Sequence, residues 1–293
     1  MSRLTSSRKE VAVPVSNKIS VVIVTHNRNK DCREVVNSVL MQKEPPYEII
    51  VIDDASSDPF QLKNSKVKII RNISELGLAA SRNIGIQMST GNIVAFIDDD
   101  ALAPPDWVEK LQKAFTDDVD IIGGVCKPLY LSPIPNWWNE NLYGLLVGIN
   151  YDGIIGCNLA ANRRVFDKVG YFNERLGRRY GRLISREETE FLQRVKKISG
   201  KIIFKKELVV YHKIYPNRLT MHYLLRRVWY DSVSECIMYP VSEYPRKLLG
   251  CIKRTAVYIV KMVIDYKKFR YYLIKVVAQV GFIYGCIKFS KLK

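Results

Sequence analysis

Three consecutive aspartates, Asp98-Asp99-Asp100, close the short apolar run Ile93 to Ile97. That run is mostly β-branched or aromatic and reads as a buried strand, opened by the Gly91-Asn92 turn. Three adjacent anions at a strand end repel one another, so they need a compensating cation or full hydration. Two readings stand at this point. One is a solvated acidic loop. The other is a site for a hard divalent cation, which prefers oxygen ligands and keeps phosphate oxygens in its shell. Further groups of the right type recur along the chain: Thr25, the pair Asp53-Asp54, the pair Glu187-Glu188 and His212. Glu187 and Glu188 stand at a helix start, where a helix dipole favours anions, and His212 stands at a strand end.

The elements that position these groups follow from hydrophobic period. Ile19 to Thr25 is a β-branched run and predicts a strand. Residues 30–42 place Cys32, Val35, Val36, Val39 and Leu40 at helical spacing, and Pro45-Pro46 ends that helix. Tyr47 to Ile52 is a second strand, ending at Asp53-Asp54, and Val67 to Ile70 is a third. Leu78 to Met88 reads as a helix behind the Gly77 turn. A helix from Pro104-Pro105 to about Phe115 uses proline in its first turn. Strands are expected at 120–125, 152–160, 202–204 and 208–211, with His212 at the end of the last. Helices are expected at 165–170 and from Arg186 to Gly200. The alternation is that of a doubly wound, Rossmann-like α/β fold: a mostly parallel sheet flanked by helices. Ligands of such sheets bind beyond the carboxyl ends of the strands, where Thr25, Asp54 and Asp98 to Asp100 all fall.

The chain has 293 residues, 47% apolar and 26% charged, enough for one large α/β domain with an appendage. Its formal charge of +17 is uneven. Residues 1–190 carry 24 Lys+Arg and 24 Asp+Glu, whereas residues 191–293 carry 22 and 5. The excess predicts an anionic partner for the C-terminal third. Six scattered cysteines form no CxxC pair, which argues against zinc and redox motifs and fits reduced core residues. There is no apolar segment before Val11, so no secretory leader is expected. The longest candidate span, Val276 to Ile287 between Lys275 and Lys288, is 12 residues, too short to span a bilayer comfortably.

Four segments in order, Ser20 to Arg28, Val51 to Asp58, Gly77 to Asn83 and Phe96 to Asp100, resemble the family 2 glycosyltransferases of GT-A fold. The resemblance continues through Asn162 to Phe166, Gly170 to Glu174, Arg186 to Glu190 and Tyr211-His212, and covers about residues 18–215. Each motif alone is weak; the ordered set is specific. The resemblance implies an inverting, metal-dependent, hexosyltransferase-like enzyme. Thr25, Asn27, Asp54, Arg82 and Asp98 would bind the nucleotide sugar, with UDP favoured. Asp100 and His212 would hold Mn²⁺ or Mg²⁺, and Glu188 would be the general base. The family usually has Glu-Asp where this chain has Glu187-Glu188, so the base carries a longer side chain. A carboxylate at a helix start is expected to be ionised. Glu187, Trp137 and Trp138 are candidate acceptor contacts, the tryptophans by stacking on a sugar or else as packed core. Arg178, Arg179 and Arg182 are either solvated charges or ligands for a diphosphate or a phospholipid acceptor.

The expected layout is a loose tail over residues 1–17, a GT-A domain over 18–215 and a basic amphipathic helical extension over 216–293. The extension alternates apolar runs with Lys and Arg and interleaves Tyr258, Tyr266, Tyr271, Tyr272 and Tyr284. That pattern fits a helix lying on an anionic membrane surface or a plain extension packed on the domain. No nucleic-acid motif accompanies the charge, and no nucleic-acid partner is expected. The resulting expectation is a cytoplasmic enzyme, peripheral on the inner face of the membrane, using a nucleotide-sugar donor and a glycan or lipid-linked acceptor for surface-polysaccharide synthesis. The alternative is a non-catalytic membrane- or nucleic-acid-binding protein on a degenerate transferase fold.

Overall fold

The computed structural model describes residues 17–147 and 153–290. The expected tail therefore lies outside the described residues, save Asn17. That side chain is anchored, its amide donating to the carbonyls of Gln112 and Phe115 at 2.8 and 2.9 Å.

In chain order the elements are β1 (Ile19–Thr25), α1 (Asn29–Leu40), β2 (Glu48–Asp53), β3 (Val67–Arg71), α2 (Leu78–Met88), β4 (Ile93–Phe96), β5 (Ala101–Leu102), α3 (Trp107–Ala114), β6 (Ile121–Tyr130), α4 (Glu140–Val147), β7 (Leu159–Asn162), α5 (Arg163–Val169), α6 (Glu187–Lys197), β8 (Ile202–Ile214), α7 (Met221–Ile237), α8 (Tyr244–Ile264) and α9 (Phe269–Ser290). The strands form one sheet in the order β3-β2-β1-β4-β7-β6-β8-β5. The first half, β3-β2-β1-β4, is parallel, as the crossover helices require. β7 then runs antiparallel to both β4 and β6, while β6 and β8 are parallel.

Strand alternation sorts the core into two layers. Val21, Ile23, Val51 and Ala95 face α1 and α3, where Val35, Val39, Trp107 and Leu111 are buried. Val22, Val94 and Phe96 face α2, α5 and α6, against Ile86, Phe166 and Phe191. The sheet is thus buried on both faces, which is why its strands are continuously apolar rather than alternating.

Several expected boundaries change. The two strands expected at 202–204 and 208–211 are one strand, β8, whose pairing with β6 slips between Gly124 and Val125. A bulge absorbs the polar Lys205 to Glu207 stretch that looks like a break in the sequence. His212 accordingly sits inside β8, not after it. Only the end of the strand expected at 152–160 is extended: Gly156–Asn158 is a 3₁₀ turn before β7, and residue 152 lies outside the described residues.

The C-terminal third is three helices. α7 packs on α4 and on Trp137, with Leu224 and Val228 buried. α9 packs along α7, and α8 along α9. Gly285 makes the close approach possible, since a Cβ there would stand 2.7 Å from the Cys236 sulfur. The outer face is apolar and exposed: Leu249, Ile252, Val263 and Ile264 of α8, with Tyr266 beyond. The 12-residue apolar run is part of a longer helical stretch, Tyr266–Ser290, because neither Arg270 nor Lys275 stops a helix. By length and composition, that stretch is long and apolar enough to cross a membrane. This revises the expectation drawn from the 12-residue span alone.

Candidate active site

A cavity of about 580 Å³ opens beyond the carboxyl ends of β1, β2 and β4. Its floor carries Asp54, Asp98, Asp100 and His212, and its far wall Glu187 and Glu188. The last three of these come from sequence more than 85 residues downstream of the aspartates, and each is delivered by a definite element.

β5 is only two residues long, but it pairs antiparallel with β8 so that Ala101 faces His212. The Lys213 amide donates to the Asp100 carbonyl at 2.8 Å. This pairing sets the imidazole Nε2 3.2 Å from Asp100 Oδ1. Arg218, on the 3₁₀ turn after β8, donates to Asp100 Oδ2 at 2.7 Å, and Arg28 at the start of α1 reaches the same oxygen. Both oxygens of one buried carboxylate thus carry cationic partners. Burial resists ionisation of Asp100, but His212, Arg218 and Arg28 together hold it well below the usual carboxylate range. His212 moves the other way: burial disfavours its charge, and attraction to Asp100 outweighs that and raises its pKa. Its Nδ1 is buried without a hydrogen-bond partner among the described residues.

The triplet separates in role. Asp98 is the solvent-facing member, its side chain 31% exposed. Asp99 points into the protein, accepting from Thr25 Oγ1 at 2.8 Å and from Arg28 at 3.3 Å. Burial, offset by Arg28 and reinforced by Asp100, pushes Asp99 up to about 7.

Arg82 is the hinge between floor and wall. It is 3% exposed and donates to Asp98 Oδ1 at 2.7 Å and to Glu187 Oε1 at 2.8 Å. Gly156 leaves room for it, since a Cβ there would stand 2.6 Å from Arg82 Nη1. Glu187 is therefore a structural anion with its own cation. Glu188 beside it has no cation within ion-pairing distance among the described residues; it accepts from the Thr189 hydroxyl at 3.2 Å and from its own backbone N–H. Burial, then repulsion from Glu187, pushes Glu188 up to about 8. The expectation of an ionised carboxylate is corrected: the helix dipole is worth less than the desolvation of a buried side chain next to a second anion.

Not every expected residue reaches the cavity. Asp54 does, but its carboxylate already accepts from the Asn72 amide at 2.7 Å and from the Leu76 and Gly77 backbone N–H groups at 2.8 Å each. It fixes the entry to α2, where Gly77 adopts a φ of +95°. Thr25 is buried beneath the floor, and Asn27 holds Ser57 through two hydrogen bonds, from its N–H at 2.7 Å and its hydroxyl at 2.8 Å. Trp137 and Trp138 lie away from the cavity lining. They pack edge to face at 5.7 Å, and the Trp138 indole donates to the Tyr130 hydroxyl at 3.1 Å. Trp138 is buried in the core and half-buried Trp137 packs against it. Sequence reasoning assigned no role to Arg28, although the residue lies in a quoted motif, and it passed over Arg218, Tyr223 and Arg227, which no local pattern marks.

The description "Glycosyl transferase family 2" matches residues 20–192, more than half of the chain. The chain is a family 2 glycosyltransferase. The glucosyl-dolichyl phosphate glucuronosyltransferase of Haloferax volcanii is similar, 29% identical over 242 residues that span 75% of this chain and 77% of that protein. An uncharacterised Rickettsia conorii glycosyltransferase is 36% identical over 111 residues, 36% of this chain and only 18% of its own length. The mannosyltransferase PcManGT of Pyrobaculum calidifontis, solved with GDP-Man and Mn²⁺, superposes with a TM-score of 0.64 at 15% identity, over 98% of this chain and 92% of that one. GalNAc-T7, solved with UDP, GalNAc and Mn²⁺, gives 0.55 at 18% identity, over 77% and 52%. The glycosyltransferase thus has the GT-A fold with a C-terminal helical extension, and it is a transferase enzyme.

Proposed function

We propose that this glycosyltransferase moves a sugar from a nucleoside diphosphate sugar, UDP-linked first among the candidates, to a hydroxyl of a saccharide or lipid-linked glycan, with inversion. One observation carries the reading: Asp98, Asp100, His212 and the unpaired Glu188 share a single cavity. In the reaction the acceptor oxygen forms a bond to the anomeric carbon as that carbon's bond to the phosphate oxygen breaks. The acceptor proton passes to Glu188, and the nucleoside diphosphate leaves with the electron pair. A pKa near neutrality suits a group that must take that proton.

The divalent ion implied by the family fits the donors by type: carboxylate oxygens of Asp98 and Asp100 with the imidazole of His212. Among the described residues no three such side chains are yet gathered around one point. Arg28 and Arg218 both hold Asp100 Oδ2 and would have to release it for that oxygen to bind Mn²⁺ or Mg²⁺. The bound ion would supply charge neutralisation for the departing diphosphate.

Thermal melting with a panel of nucleoside diphosphates, with and without Mn²⁺, tests the donor and the metal together. At least one nucleotide should raise the melting temperature more when Mn²⁺ is present, and Asp100→Asn should remove the Mn²⁺-dependent part. Equal stabilisation by Mn²⁺ in Asp100→Asn would sink the metal assignment.

The exposed apolar face of α8 and α9, set in a basic extension, supports a peripheral position on an anionic bilayer. Vesicles containing phosphatidylglycerol should retain the protein and pure phosphatidylcholine vesicles should not; equal partitioning would remove the anionic preference.

A further inference from the structure

The cavity has two walls of opposite character. On the sheet side, Arg28, Arg82 and Arg218 each hold a carboxylate. On the other side, the strap from Gly177 to Leu183 brings Arg178, Arg179 and Arg182 to the lining, and α7 adds Tyr223 and Arg227. None of the three strap arginines has a carboxylate partner among the described residues. Arg179 stacks on the Tyr180 ring, its guanidinium 5.2 Å from the centroid. Arg182 sits exposed at the mouth, and Arg178 is half-buried inside.

Arg227 is 3% exposed and is fixed rather than neutralised. It donates to the Leu146 carbonyl at 3.1 Å and to the Ser185 hydroxyl at 2.9 Å, with Asp231 only at 3.7 Å. Asp231 itself is bound more closely by Arg186, at 2.7 Å. Burial depresses the Arg227 pKa; Asp231 offsets part of that, and Arg178 adds to it. Burial resists ionisation of Tyr223, yet Arg178, Arg218, Arg227 and Arg28 pull its phenol below its ordinary value. Arg178, Arg227 and Tyr223 thus lie close enough to act on one another across the cavity wall. Tyr223 and Arg227 are one helical turn apart on the same face of α7.

Asp231 lies at the edge of ion-pairing range of Arg227, but Arg178 has no carboxylate in that range among the described residues, and a cation held in a cavity without one is unfavourable unless a ligand brings the charge. A guanidinium pair with a phenol is a donor set for phosphate, which guanidinium binds in a two-toothed fork. The position selects among phosphates. Arg227 braces Ser185, three residues ahead of Glu188, so its end of the wall lies on the side of the proposed base, while Arg178 also feels Asp100 and Asp98. α7 also leads directly into the basic helices whose outer faces are apolar.

We propose that Arg178, Arg227 and Tyr223 form a phosphate subsite on the acceptor side, making the acceptor a glycan carried on a lipid phosphate. This rests on the glycosyltransferase reading of the same cavity. The phosphate would sit among these three groups, with Arg182 at the mouth, while the lipid chain runs toward α8 and α9.

The test measures binding of decyl phosphate, below its micelle concentration, to the full chain, alone and saturated with UDP or GDP plus Mn²⁺. Decyl glucoside is the uncharged control. Decyl phosphate should bind the nucleotide-loaded protein, and inorganic phosphate should compete. Arg178→Gln should weaken it about 10- to 100-fold, the loss of one charge-assisted hydrogen bond of about 1.5–3 kcal/mol. Arg178→Lys, which keeps the charge and loses the fork, should fall between. Arg178 is not part of the core, so an unchanged melting temperature establishes that these variants fold. Three results would overturn the proposal: decyl phosphate expelled by the nucleotide, which hands these cations to the donor diphosphate; affinity unchanged in Arg178→Gln; or decyl glucoside binding as tightly. Failure of every nucleotide to bind, with decyl phosphate still lost in Arg178→Gln, would keep the phosphate subsite and remove the donor reading instead.

Discussion

The two walls of the cavity are built by opposite rules. The sheet-side wall is rich in carboxylates, and nearly every one has an assigned partner: Asp54 caps α2, Asp99 holds Thr25, Asp100 holds three cations, Glu187 holds Arg82. The helix-side wall is rich in arginine, and its charges are largely unmatched. Pairing fixes geometry in advance, whereas unmatched charge marks where a ligand completes the structure. Glu188 is the exception on the acidic wall, and the contrast with Glu187 one residue earlier shows how little sequence distance matters. One carboxylate has a cation and is structural; the other has none, and burial lifts its pKa to about 8.

The sharpest way to break this contrast is at Glu188. Glu188→Gln should lower transfer about 10²–10⁴-fold with little change in donor affinity, as loss of a general base does. Transfer unaffected by the change would end its assignment. The converse experiment is on the paired wall. Arg82→Met removes the cation from two carboxylates, one of them buried, and should cost about 3–5 kcal/mol of stability by urea unfolding. A loss below about 1 kcal/mol, the scale of surface pairs, would show that Glu187 does not depend on Arg82.

A third prediction uses pH. The folded-state pKa of Glu188 lies above its unfolded value, so its stabilising, neutral form is complete below the unfolded value and is lost as pH rises through about 8. Glu188→Gln cannot ionise and should therefore melt higher than the parent at pH 9, with the gap closing toward pH 5. Transfer by the parent should rise between pH 7 and 9 over the same titration. A gap that is constant with pH would place the titration elsewhere. The smallest effect is expected at Trp138. Trp138→Phe loses one hydrogen bond to Tyr130 and should cost about 1 kcal/mol, with acceptor KM and kcat essentially unchanged. A selective rise in acceptor KM would restore the tryptophan to the site.

Much of the framework is legible in the chain itself. The β-branched runs at Ile19, Ile49 and Ile93 specify buried parallel strands, and alternation with helices carries the polar ends to one rim. Period and propensity are local properties, so the sequence reports them directly. The pairing of β8 with β6 and β5 is not local. It turns two expected strands into one bulged strand and brings His212 to Asp100 across 112 residues of chain. The same is true of Arg218 and Arg227, which sit in ordinary-looking helical sequence and gain meaning only by what they face.

Sequence alone determined the parallel half of the sheet, the carboxylates at its rim and the basic C-terminal third. Tertiary structure decided which charges are neutralised, because that depends on distance and desolvation. Glu187 and Glu188 are the same residue type in adjacent positions, and only the place of Arg82 tells them apart. The tryptophan pair and the arginine strap make the same point in opposite directions. The Trp138 ring, which suggests a sugar platform, is absorbed by core packing, while Arg178, in a strap that suggests a solvated loop, reaches into the cavity, where an unmatched cation calls for an anion.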